Sequence, residues 1–174
     1  MKIVNWLSLL IVLTWLAPKA CVQRIDPNEI GVRRSLTGGI DESDHLPGYA
    51  LSLPMWHRWY KLPRTVHYLK FGSGSGGALD VRTKENNVIY IDVTVPYRIK
   101  SGEAWSIVRE GFADTYRDKV KSTTVGILRE HLAALSNLDV QDPEKRHSLA
   151  QTTLPILNVA LAQYHIEVTH IVLR

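Results

Sequence analysis

Residues 88–99 carry the pattern that most restricts the fold, an alternation of apolar with other side chains over twelve positions. The apolar set is Ile89, Ile91, Val93, Val95, Tyr97 and Ile99. A strand turns successive side chains to opposite faces, so this period of two predicts one long strand with one buried face. Pro96 lies in the other register and has no N–H, which predicts a free edge or a bulge nearby.

The chain before this strand is β-rich, and the chain after it is helical. Turn residues between short apolar runs predict a β-meander over residues 22–71. Asp142-Pro143 predicts one helix start, and a second stripe has helical spacing: Tyr116, Val120, Thr124, Ile127, Leu128, His131, Leu132 and Leu135. Alternation over 166–172 predicts a closing strand. This order of meander, strand, helix, helix and strand is that of an α+β domain, with Ile89, Ile91, Val93, Val95, Ile127, Leu128 and Leu132 in one core.

The first twenty residues form a separate segment. Residues 3–17 contain no charge, and Lys2 and Lys19 flank them. As a helix they rise about 22 Å, which is short of the roughly 30 Å hydrocarbon core of a bilayer. Trp6 and Trp15 near the two ends are typical interfacial anchors. We predict a single-pass membrane anchor over residues 1–20, formed chiefly by Trp6, Leu9, Leu10, Ile11, Leu13 and Trp15.

Two other interpretations of this segment stay open. A cleaved signal peptide would use Ala20, although Pro18 replaces the small residue usual three positions before the cut. Cys21 would suit a lipoprotein junction, although Lys19 fits poorly there. The positive-inside rule and the signal-peptide interpretation place the body on opposite sides of the membrane, so its side stays undetermined.

Composition excludes several classes of protein. A formal net charge of +4, with two of the cations flanking the apolar run, is too small for a typical nucleic-acid protein. One cysteine excludes a disulfide framework and a zinc site built on several thiolates. An apolar content of 45% excludes a wholly disordered chain.

No residue pattern supports catalysis, a metal site or a bound cofactor. Gly72, Gly74 and Gly77 match the spacing of a dinucleotide-binding loop, but strand and turn residues follow where that loop needs a helix. The seven histidines lack the spacing of a zinc helix, and the chain has no GxSxG nucleophile. Asp139 and Asp142 are better explained as turn and cap residues. We therefore expect no enzyme.

Two clusters of side chains are candidate contact sites. Residues 55–61 concentrate aromatic and basic side chains, which suits a lipid headgroup contact by Trp56, Arg58, Trp59 and Tyr60 or, equally, a core strand with a polar edge. Basic side chains on the second helix suit a solvated face or a subunit contact: Arg117, Lys119 and Lys121.

Five fragments in order resemble the SPFH or band-7 family of stomatin, prohibitin and flotillin, over about residues 22–174. They begin with Pro27-Asn28-Glu29-Ile30-Gly31-Val32 and the segment from Pro47-Gly48 to Pro54. They continue with Thr83-Lys84-Glu85 leading to Pro96-Tyr97, then Ile127-Leu128-Arg129 with Arg146, then Tyr164-His165-Ile166. His165 stands where family members usually have Gly, at a helix end that favours a left-handed residue.

The resemblance implies a function and a domain plan. It implies a non-enzymatic scaffold without a cofactor that forms homo- or hetero-oligomers at a bilayer, organises lipids or membrane proteins, and restrains an AAA-type membrane protease. It places the domain at residues 21–174, and the coiled coil that follows in the family is not among these residues. The alternative is an exported monomeric binding module with a cleaved leader.

Overall fold

A computed structural model describes residues 21–72 and 77–174. The predicted anchor and Gly74 lie outside these residues. The strands are β1 (Val22–Ile25), β2 (Glu29–Ser35), β3 (Gly39–Ile40), β4 (Gly48–Leu51), β5 (His57–Pro63), β6 (His67–Phe71), β7 (Leu79–Arg82), β8 (Val88–Ile91), β9 (Val93–Ile99), β10 (Ile166–Val168) and β11 (Val172–Leu173). The helices are α1 (Ala104–Arg109), α2 (Tyr116–Ala133), α3 (Asn137–Gln141) and α4 (Pro143–Ala162). This is the predicted α+β class. The predicted β-meander in the N-terminal half is wrong, because β1 pairs with β4 and β2 with β5 instead of each strand pairing with the next.

All strand pairs in the described residues are antiparallel, and they form two regions. In the N-terminal half, β1 pairs with β4, and β2 lies between β3 and β5. In the second half, β9 is central, with β6 on one side and β10 and β11 on the other, while β7 pairs with β8. One hydrophobic core joins the β2–β5 region to β9 and to helices α1, α2 and α4.

The predicted long strand is two strands, β8 and β9, because the pairing partner changes at Asp92. Residues before Asp92 pair with β7, and residues after it pair with β6. The alternation of burial continues across the break: Ile91 and Val93 are buried, and Asp92 between them is exposed. Of the predicted core residues, Ile91, Val93, Val95, Leu128 and Leu132 are buried, whereas Ile89 and Ile127 are half-buried at its margin.

Pro96 explains a second interruption. Its carbonyl accepts a hydrogen bond from the N–H of Thr169, so its missing N–H faces the same neighbour. That neighbour is the segment between β10 and β11, where the predicted closing strand is broken in two. A free edge at Pro96, one of the two predicted alternatives, is wrong, because β9 has partners on both sides and Pro96 is buried. The interruption lies in the neighbouring segment instead.

Helix ends follow the predicted cap residues. The Asp142 carboxylate accepts a hydrogen bond from the Glu144 N–H, and Pro143 is the first residue of α4. Ser136 and Asp139 form a capping box at α3, a helix that the sequence did not predict. Both aspartates are thus cap residues, as expected.

His165 occupies a left-handed conformation, with φ 59°, at the turn from α4 to β10. Its ring contacts carboxylates at the two ends of α1, with Nδ1 2.8 Å from Glu103 and Nε2 3.4 Å from Glu110. These contacts offset the backbone strain that a glycine at this position would avoid.

Candidate membrane-contact surface

A tight loop, residues 52–56, joins β4 to β5. The carbonyl of Leu53 accepts hydrogen bonds from the N–H groups of Trp56 and His57, at 3.2 and 3.0 Å. The N–H of Leu53 donates to Nδ1 of His57 at 3.0 Å. The loop is therefore closed on itself by three hydrogen bonds, which fixes the positions of the side chains between them.

Large apolar side chains of this loop face solvent. Met55 is 95% exposed, Trp56 54% and Leu53 42%. The β2–β3 turn adds Leu36, which is 74% exposed and whose N–H donates to the Trp56 carbonyl at 2.9 Å. We call Leu36, Leu53, Met55 and Trp56 the apolar tip. A contiguous exposed group of large apolar side chains is typical of a protein or membrane contact rather than of ordinary surface.

The backbone of Met55 is also unusual. Its φ is 71°, in the left-handed region that a side chain with a Cβ rarely occupies. A residue that is both strained and almost fully exposed contributes little to folding. Strain of this kind accompanies functional positions.

The apolar tip lies beside the residue at which the N-terminal apolar segment joins the domain. The Cys21 carbonyl accepts a hydrogen bond from the N–H of Ser52 at 2.8 Å. Val22, the first residue of β1, stands opposite Leu51, and both are exposed. A segment leaving the domain before Cys21 thus starts next to the tip.

Two arginines stand beside the tip. Arg34 of β2 and Arg58 of β5 are directly opposite each other in the register, and both are exposed. With Leu36, Met55 and Trp56 they line an open cavity of about 440 Å³. Apolar and cationic side chains thus lie side by side here, a combination that suits a lipid headgroup contact.

The structure divides the four residues that we predicted for membrane contact. Trp56 and Arg58 are at the tip or beside it. Trp59 turns to the other face of β5 and packs against the His45 ring at a centroid distance of 4.9 Å. Tyr60 is half-buried against the core. Trp59 and Tyr60 are thus both half-buried, since Trp59 lies on the face of β5 opposite Arg58 and Tyr60 packs against the core. Membrane contact stays a prediction for these two residues.

The three predicted subunit-contact residues have different environments. Nε of Arg117 donates to the Tyr116 hydroxyl at 3.1 Å, which raises the pKa of Arg117 further. The Lys119 ammonium lies 4.6 Å from the centre of the Phe112 ring and 5.6 Å from that of Tyr164. Lys121 is exposed. A subunit contact stays a prediction for all three. The two ring contacts of Lys119 also stabilise the folded domain.

The sequence indicated two of the four residues of the tip. Met55 and Trp56 were within the aromatic and basic cluster, so composition signalled part of the site. Leu36 and Leu53 gave no signal, because an isolated leucine between turn residues is common on protein surfaces.

Groups with perturbed ionisation lie away from the tip. Burial, and then the nearby charge of Arg117, lower the pKa of His67, whose ring is 5.9 Å from that of Tyr97. Burial raises the pKa of Tyr97. Among the described residues no group of three or more His, Cys, Asp or Glu side chains is arranged to hold a metal ion. After Gly77 the chain forms strand β7, where a dinucleotide-binding loop would begin a helix.

No helix within 21–72 or 77–174 combines the length and apolar character needed to cross a bilayer.

Comparisons with known proteins agree with the fold. No curated protein matches the chain. The sequence model of the SPFH domain / Band 7 family matches residues 23–174, nearly all of the described domain. The chain therefore belongs to the SPFH domain / Band 7 family.

Proposed function

We propose that this chain is a non-enzymatic membrane scaffold whose domain lies against the bilayer with the apolar tip in contact with lipid. One observation carries the proposal: the loop that carries Leu53, Met55 and Trp56 is hydrogen-bonded, from the Ser52 N–H to the Cys21 carbonyl, to the point where the N-terminal apolar segment joins the domain. A membrane anchor at residues 1–20 would hold the tip at the membrane surface. Family membership supports the scaffold role.

The tip would strengthen the attachment of a short anchor. Fully burying one large apolar side chain contributes about 1.5–3 kcal/mol, and Met55, Trp56 and Leu36 begin largely exposed. Homo- or hetero-oligomerisation would multiply this contribution, because many anchors in one assembly gain avidity that a single one lacks. Such an assembly could organise lipids or membrane proteins and restrain a membrane protease.

Contact between tip and bilayer is testable with the full chain in vesicles. A fluorophore at Thr37, in a Thr37→Cys, Cys21→Ser variant, sits next to Leu36 without replacing a tip residue. We expect quenching by lipids that carry nitroxide groups, and loss of that quenching in Met55→Ser/Trp56→Ser. The matched control is Tyr90→Ser/Leu138→Ser, which removes side chains of 74% and 77% exposure elsewhere on the domain. A fluorophore that stays in water with every lipid composition would overturn the proposal.

The state of residues 1–20 decides between the anchor and the exported module. An anchor predicts that the purified protein keeps Met1–Ala20 and stays with membranes in high salt, because salt weakens charge contacts rather than apolar ones. A mature mass lacking these residues would favour the exported binding module.

A further inference from the structure

We infer that Arg34 and Arg58 form a binding site for the phosphate of an anionic lipid headgroup. The inference rests on the proposed function, since it identifies the lipid chemistry that the apolar tip meets.

The first step is the relative position of the two arginines. They are direct partners in the antiparallel β2–β5 pair, so both side chains leave the same face of the sheet. Like charges directly opposite each other destabilise a strand pair. An anion bound between the guanidinium groups would convert this repulsion into attraction.

The second step is the contrast with neighbouring cations. On the same strands, Arg33 pairs with Asp41 and Lys61 pairs with Glu29 at 2.9 Å. Within residues 21–72 and 77–174, neither Arg34 nor Arg58 forms an ion pair. Arg58 lies over the Tyr60 ring, 5.6 Å from its centre, which directs its guanidinium without neutralising it. The two cations at the tip therefore keep their capacity for an anion.

The third step is the shape and lining of the site. The cavity of about 440 Å³ is open to solvent and has room for a phosphate group between the arginines and the tip. Arginine binds phosphate through two parallel N–H donors, which is why paired arginines suit this anion. Exposed Met55 and Trp56 on the rim would be unfavourable around a free inorganic anion but suit the acyl region below a headgroup. This lining favours a lipid over a soluble phosphate.

The test uses the full chain with the Thr37 fluorophore, in vesicles of phosphatidylcholine alone or with added phosphatidylglycerol. We measure the ratio of lipid-contacting to water-exposed fluorophore. A basic residue near an anionic surface contributes about 1 kcal/mol, so we expect the anionic lipid to raise this ratio about fivefold for each arginine. Arg34→Gln and Arg58→Gln should each lose about that factor, and the double variant should respond only weakly to the anionic lipid.

Four outcomes distinguish the alternatives. Arg82→Gln removes the same charge from the exposed end of β7, and an equal loss there would overturn the site in favour of general attraction. Competition by inorganic phosphate beyond the effect of chloride at equal ionic strength would overturn the lipid assignment. Contact that is equal in neutral and anionic vesicles and unchanged in both arginine variants would overturn this inference but leave the proposed function standing. Absence of contact in all vesicles would overturn both.

Discussion

Replacing Met55 with glycine should stabilise the domain and weaken its membrane contact at the same time. The left-handed conformation costs a side chain with a Cβ about 1–2 kcal/mol, and glycine adopts it freely. Met55 has φ 71°. Against this gain stands the greater flexibility of glycine in the unfolded chain, which costs roughly 0.5–1 kcal/mol.

The exposure of Met55 decides the balance. Because the residue is 95% exposed, truncating its side chain removes almost no packing from the folded state. We therefore expect the free energy of unfolding to rise by about 0.5–1 kcal/mol. In the bilayer the same side chain would contribute about 1.5 kcal/mol or more, so the contact ratio at the tip should fall at least about tenfold.

The assay is denaturant unfolding of the purified full chain, followed by circular dichroism, with the Thr37 fluorophore reporting membrane contact in parallel. Met55→Leu is the control, because it keeps both the strain and the apolar surface and should change neither quantity much. A Met55→Gly variant that unfolds more easily would show that this side chain stabilises the fold. Unchanged membrane contact would show that Met55 does not meet lipid.

Four further predictions concern the body of the domain. Ile91 is 2% exposed, so Ile91→Asp would bury an unpaired carboxylate and should lower the free energy of unfolding by several kcal/mol in denaturant titration. A neutral result would refute the register of β8. Lys119→Glu removes two cation–ring contacts and should lower the free energy of unfolding by about 1–2 kcal/mol. Lys121→Glu should leave the free energy of unfolding within about 0.5 kcal/mol of the original, so any change in its sedimentation reports on assembly alone. Thr124 is fully buried with an unpaired hydroxyl, so Thr124→Val should raise stability by about 1 kcal/mol; a loss would mean that the hydroxyl has a partner. The pKa of His67 is lowered in the folded state, so the unfolded chain binds its proton first and the free energy of unfolding should fall as pH drops below about 6.5. His67→Phe should flatten that pH dependence, and an unchanged slope would show that His67 is not its source.

Periodicity predicted burial well because burial follows from local geometry. Ile91 and Val93 are both buried although they belong to different strands, since alternate side chains face the core whichever strand lies alongside. The cap at Asp142 was equally predictable, because a cap needs only residues that are close in sequence. The same locality explains why the chain's order of elements could be predicted.

Pairing partners could not be predicted in this way. The break at Asp92 follows from the change of partner from β7 to β6, and the break after β10 lies opposite Pro96. Both depend on segments far apart in the chain. The packing of Trp59 is of the same kind, because His45, its ring partner, comes from another loop.

The sequence by itself determined the α+β class, the apolar N-terminal segment and the aromatic and basic composition of residues 55–61. Only the tertiary structure brought Leu36, the loop of residues 52–56 and Cys21 together, through hydrogen bonds between separate segments. Only the β2–β5 register set Arg34 opposite Arg58. The physical reason is that side-chain alternation is a property of one strand, whereas a surface built from several segments depends on which strands pair and in which register.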